Sequence, residues 1–167
     1  SVVLGTAEGG LKITLYNING LNPSSPSIDF LNEWFFKTMH HEFAHILHQT
    51  KNYSTDFNLI STDYQGPSWL NLESDAVANK MGYVTCYASY SPDEDFVEII
   101  SNYVTHAKGY WESVLATAGE EGGDKLARKF EIVRNYLQES WGIDIDKLRD
   151  IVQKRSANIS QLDLKTL

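Results

Sequence analysis

His41, Glu42 and His45 are the residues of this chain whose types and spacing best suit chemistry, in the run His41-Glu42-Phe43-Ala44-His45. On a helix, side chains four residues apart share a face, about one turn apart. Two imidazoles placed in this way can reach one tetrahedral zinc ion. The Glu beside the first His then faces the same cavity, where it can take a proton from a water and pass it to a leaving amine. Zinc supports that step by lowering the pKa of a bound water from about 16 towards about 7. The pattern predicts His41 and His45 as zinc ligands and Glu42 as general base. The plainer reading of the same residues is two half-buried histidines on an ordinary amphipathic helix.

A catalytic zinc takes a third protein ligand and keeps one position open. One known arrangement has a His six residues after the second His, with a Gly between them. Here those positions hold Lys51 and His48, so that pattern fails. His48 lies on the same predicted helix, where it is expected as a core or supporting residue. Downstream acids remain. Glu94 and Glu98 are four apart in Glu94-Asp95-Phe96-Val97-Glu98 and would share one helix face. One carboxylate could bind the metal while the other holds the tautomer of a ligand His. Glu73 is the rival third ligand. Read alone, Glu94 is a capping-box residue, Glu98 a solvated acid and Glu73 an acid favoured by a helix dipole. His40 points about 100° away from the pair, and neither it nor His106 is given a role.

These residues need a scaffold. Leu11 to Ile18 alternates apolar and polar residues between Gly9-Gly10 and Asn19-Gly20, and reads as a strand with Leu11, Ile13 and Leu15 inward. Residues 21–27 read as a loop. Ser27 or Asp29 then caps a helix to about Thr50, with Leu31, Trp34, Thr38, His41, His45 and His48 on its buried stripe. Residues 51–68 suggest a loop, 73–81 a short helix stopped by Gly82, and 83–87 an extended piece. Ser91-Pro92-Asp93-Glu94 is a helix start with Ser91 as N-cap, and that helix is expected to reach Ala118. Gly119 to Gly123 breaks it. A further helix carries Leu126, Phe130, Val133, Leu137 and Trp141, and a last short one Ile145 to Val152. The predicted fold is α+β, mostly helical, with a small N-terminal β-sheet.

The 167 residues suit one domain with a real core, spanning 1–167. The net charge of −8 removes the electrostatic basis for nucleic-acid binding, since no Lys/Arg cluster is present. The single cysteine, Cys86, cannot form a disulfide within the chain or a cysteine-based zinc site. No apolar run is long enough to cross a bilayer. The chain starts at Ser1 with no visible signal peptide, as expected of a mature or trimmed form lacking an upstream segment.

The pairing of His41-Glu42-Phe43-Ala44-His45 with Glu94-Asp95-Phe96-Val97-Glu98 resembles the Glu-zincins (gluzincins), such as the catalytic domain of anthrax lethal factor. Lys12 to Asn17, His41 to His45 and Pro92 to Glu98 are also similar to zinc-binding metallopeptidase lipoproteins of Bacteroidetes. The resemblance implies a zincin-like domain that cleaves a peptide or protein substrate with Zn2+. It implies Glu94 as third ligand, Glu98 as its supporting acid, and Tyr87, seven residues before Glu94, as an oxyanion donor. It further implies lipid anchoring outside the inner membrane, at the outer membrane or cell surface, beside nutrient-import proteins. Val97 stands where the family usually carries Ala, which removes no ligand. The substrate is expected to lie extended along Leu11–Ile18 as an edge strand. The alternative is an inactive zincin-like binding protein associated with nutrient import.

Overall fold

A computed structural model describes residues 3–20, 22 and 27–161 of the chain. Most of the loop expected over 21–27 lies outside the described residues. The fold is α+β and mostly helical, with a two-stranded antiparallel sheet at its N-terminal end.

The sheet is a hairpin of β1 (Gly5–Glu8) and β2 (Lys12–Leu15), joined through Gly9 and Gly10, both at positive φ. The sequence reading found only the second strand. Gly-Thr-Ala-Glu is too short and small-chained to show a period of two. Leu11, expected inward, is 91% exposed, because it belongs to the turn: its N–H donates to the Glu8 carbonyl. Gly10 N–H donates to Gln49 Oε1 at 2.8 Å, which ties the hairpin to the long helix behind it.

That helix begins as α1 (Ile28–Leu31), passes through a π turn (Asn32–Phe36) and continues as α2 (Lys37–Thr50). Ser27 is the N-cap, its hydroxyl accepting the Phe30 N–H. In the π turn the Lys37 N–H reaches back five residues to the Asn32 carbonyl. The wider turn carries Trp34 off the buried stripe, leaving it 46% exposed, contrary to expectation. Leu31, Thr38, His41 and His48 are buried as expected.

The region expected as loop contains α3 (Phe57–Ile60) and a 3-10 turn (Gly66–Asn71). Phe57 is fully buried in an aromatic cluster with Tyr53 and Phe96. α4 (Asp75–Met81) starts two residues later than predicted and ends at Gly82 in the left-handed conformation, as its Gly-stopped pattern implied. Residues 83–86 are not a strand; they lead into a 3-10 turn, Tyr87–Tyr90.

α5 (Pro92–Thr105) is buried continuously from Asp95 to Thr105 and lies at the centre of the fold. Its predicted extension to Ala118 is wrong. His106 is extended, with its Nδ1 against the Asn102 carbonyl and its ring stacked on Tyr110 at 3.9 Å, so the chain turns before α6 (Gly109–Trp141). The break expected over 119–123 is confined to Gly119, whose φ of 71° interrupts α6. α7 (Ile145–Ala157) packs on α5, capped by Asp144.

α4 meets α6 at Gly122. A Cβ there would collide with the Asn79 carbonyl oxygen and lie 2.7 Å from that of Lys80. Backbone atoms cannot swing aside as a side-chain end can. Gly122→Ala is therefore expected to destabilise the protein by about 1–3 kcal/mol, despite its better helix propensity, as read by urea unfolding.

Candidate active site

Two helices and a turn converge. α2 contributes His41, Glu42 and His45, α5 contributes Glu94 and Glu98 from its first two turns, and the 3-10 turn before α5 contributes Tyr87. Ser91 caps α5, accepting the Glu94 N–H at 3.3 Å. Glu94 occupies the capping-box position, yet its carboxylate turns to the histidines.

His41 Nε2, His45 Nε2 and Glu94 Oε2 form a triangle with sides of 3.2, 3.0 and 3.4 Å. Tetrahedral ligands about 2.05 Å from a zinc ion stand about 3.3 Å apart, so the donor set fits zinc in atom type and spacing. Glu73, the rival, is exposed ahead of α4 and is not in this group.

Glu98 sits behind His41. Its Oε1 lies 2.8 Å from His41 Nδ1, and its Oε2 accepts from Thr85 Oγ1 at 2.6 Å and Asn102 Nδ2 at 3.1 Å. These bonds allow a 5%-exposed carboxylate to stay in place. Sequence reasoning missed Thr85 and Asn102. Asn102 could have been found, since it follows Glu98 by four residues on α5; Thr85 carries no such signal.

The electrostatics favour a cation at the triangle. Burial opposes charge on His41, but hydrogen bonds to Glu94 and Glu98 outweigh it and push the imidazole up to about 10. Glu94 is disfavoured by burial, yet its bonds to His41 and His45 hold its carboxyl well below the usual range. The same balance, with His41 as partner, lowers Glu98. Glu42 is shifted the other way, upward, because burial outweighs the pull of the histidines.

Tyr87 lies over His41, ring centroids 5.9 Å apart, and is buttressed by Trp69 at 5.0 Å. Burial, and then the charge of Glu94 and a hydrogen bond to it, raise its phenol, so the hydroxyl stays a donor. Tyr87, His41 and Glu42 line a cavity of about 440 Å³ that is also walled by Val3, Leu4 and Gly5. Gly5 is pressed against the base: a Cβ there would lie 2.7 Å from Glu42 Cγ.

That wall corrects the expected edge strand. The cleft is faced by β1, and Lys12–Leu15 pairs behind it. Tyr16 N–H donates to the Leu4 carbonyl, and the ladder makes Leu4 and Thr6 the residues bonded to β2. The backbone groups of Gly5 and Ala7 therefore point away from β2. Val97 is fully buried in the core, and His40 is half-buried on another face of α2.

Residues 1–146 match a family model described as "putative zinc-binding metallo-peptidase". A solved structure of a protein described in the same words, from Bacteroides caccae ATCC 43185, is 44% identical and superposes with a TM-score of 0.82 over 97% of this chain. The present chain spans 61% of that one. No functionally curated protein matches.

Proposed function

Because the chain belongs to this family of zinc-binding metallopeptidases, we propose that it is a gluzincin-type peptidase hydrolysing internal amide bonds of a peptide or protein, with His41, His45 and Glu94 as its zinc ligands. The observation that carries the reading is the triangle of two imidazole nitrogens and one carboxylate oxygen beside a buried Glu42.

Zinc, when bound, supplies the Lewis acidity that activates water and polarises the scissile carbonyl. The chain supplies the rest. Glu94 reaches the His41–His45 pair of α2 from the start of α5, and Glu98 orients the His41 ring from behind. Substrate lies alongside β1 in the cavity lined by His41, Glu42 and Tyr87, where the outward backbone groups of Gly5 and Ala7 pair with it as an added antiparallel strand. Glu42 takes a proton from the attacking water and carries it to the leaving nitrogen; its raised pKa brings its acid form closer to neutral pH. Tyr87 donates its phenolic hydrogen to the developing oxyanion.

Metal content by elemental mass spectrometry tests the ligand set. About one zinc per chain is expected in wild type and in Glu73→Ala, and a sharp loss in His45→Ala and Glu94→Ala. Zinc retained in Glu94→Ala would refute the third ligand. Tyr87→Phe is expected to keep its zinc and to lower kcat by about 10²-fold, the cost of one oxyanion donor. A fall in zinc content instead would assign Tyr87 to the metal site's structure.

Among the described residues no helix is long and apolar enough to cross a membrane. Lipid anchoring outside the inner membrane, beside nutrient-import proteins, is proposed on the resemblance to Bacteroidetes lipoproteins alone. Fractionation of cells expressing the full-length protein tests it.

A further inference from the structure

We propose that His48 is a positioning residue for the metal centre, accepting the Nδ1 proton of His45 and so presenting His45 Nε2 to zinc. The inference rests on the ligand assignment above. His45 Nδ1 lies 2.9 Å from His48 Nε2, while His45 Nε2 is the atom in the ligand triangle. A neutral imidazole has one N–H and one lone pair. If Nε2 binds metal, the His45 proton sits on Nδ1, and something must accept it. The atom within reach is His48 Nε2, which places the His48 proton on its own Nδ1.

His48 is held for this task. It is 9% exposed, with the rings of Tyr53 and Phe96 edge-on at 5.7 and 6.3 Å. Tyr53 stacks on Phe96 at 4.1 Å, and its hydroxyl donates to Asp93 Oδ1 at 2.6 Å. The first turns of α5 therefore act on both ligand histidines. Glu98 holds His41 directly, and Phe96 holds His45 through His48.

The two supports differ in charge. Behind His41 stands a carboxylate; behind His45 stands a neutral ring. Glu94, Glu98 and Glu42 already bring three carboxylates to the site. A further acid in place of His48 would add negative charge beside His45 and make the centre a weaker Lewis acid. A neutral acceptor orients His45 without that penalty.

Outer partners of metal-bound histidines are worth about 10–100-fold in metal affinity. Three variants separate orientation from packing. His48→Phe keeps an aromatic among Tyr53 and Phe96 but cannot accept a proton. His48→Leu removes the acceptor with less bulk. His48→Gln restores a polar acceptor near the position of Nε2. Zinc dissociation constants are measured by competition with a chromophoric chelator, alongside thermal unfolding of each metal-free protein. The expected result is about 10–100-fold weaker zinc binding in His48→Phe and His48→Leu, and a constant within about threefold of wild type in His48→Gln.

Zinc binding within about twofold of wild type in either folded, acceptor-less variant would overturn the inference, as would His48→Gln binding no better than His48→Leu. Wild type and Glu94→Ala in the same assay keep the two claims apart. If wild type binds zinc only weakly, or Glu94→Ala binds as well as wild type, the ligand assignment itself falls.

Discussion

Glu42→Gln is expected to lower peptide hydrolysis by about 10²–10⁴-fold while the protein still takes up about one zinc per chain. The amide is nearly isosteric, so packing against Gly5 is kept, and Glu42 is absent from the group of His41, His45 and Glu94. What is lost is the ability to accept a proton. The measurement is cleavage of a quenched fluorescent peptide library by zinc-loaded wild type and variant, with metal content checked on the same samples. Cleavage suppressed by a chelator and restored by zinc belongs to this site. Activity unchanged by Glu42→Gln would remove Glu42 from the mechanism. Zinc bound by wild type with no cleavage of any peptide would favour the inactive binding protein.

Lys129→Met is expected to destabilise the fold by about 3–5 kcal/mol. Lys129 and Asp95 are both fully buried, with Lys129 Nζ 2.6 Å from Asp95 Oδ2. Lys129 also donates to the Gly82 carbonyl at 2.7 Å, at the end of α4, and Tyr64 donates to Asp95 at 2.9 Å. The methionine chain nearly fills the space but leaves a carboxylate and a carbonyl without their cation. Asp95 follows Glu94, so the pair also anchors the start of α5 against α6. Burial lifts Asp95 to about 6 even with Lys129 in place, and Lys129 is itself lowered by burial. Without the lysine, Asp95 rises further. A raised carboxyl penalises the folded state once the group must ionise, so the deficit should widen as pH increases above about 6. Urea unfolding of metal-free wild type and variant at several pH values reads both effects. A variant as stable as wild type at pH 8 would show that the pair contributes nothing net.

Much of the site was legible because helical spacing is a local property. His41, Glu42 and His45 can be read as one cluster from their positions alone, and Ser91-Pro92-Asp93-Glu94 announces a helix start that the structure contains. Glu94 over Glu73 was not decided by spacing, because either acid heads a helix. Which one reaches the histidines depends on how α5 crosses α2, a matter of packing between segments far apart in the chain.

The misreadings have the same origin. Four small residues in β1 carry no periodic signal, and their role comes from Gly5 lying against Glu42. Trp34 follows an α-helical stripe in sequence, but the π turn rotates it outward. The helix predicted through 92–118 ends where His106 folds back onto Asn102 and Tyr110. His48, expected as a core or supporting residue, has its Nε2 2.9 Å from His45 Nδ1, a contact that spacing alone left open. From the sequence alone came most of the helices, the Ser27 and Ser91 caps and the spacing that sets His41, Glu42 and His45 on neighbouring turns, since these rest on residues three or four apart. Only the packed fold shows which acid stands beside the two histidines, what lies behind each ring and which strand faces the cleft, because those depend on side chains converging across long loops where spacing carries no information.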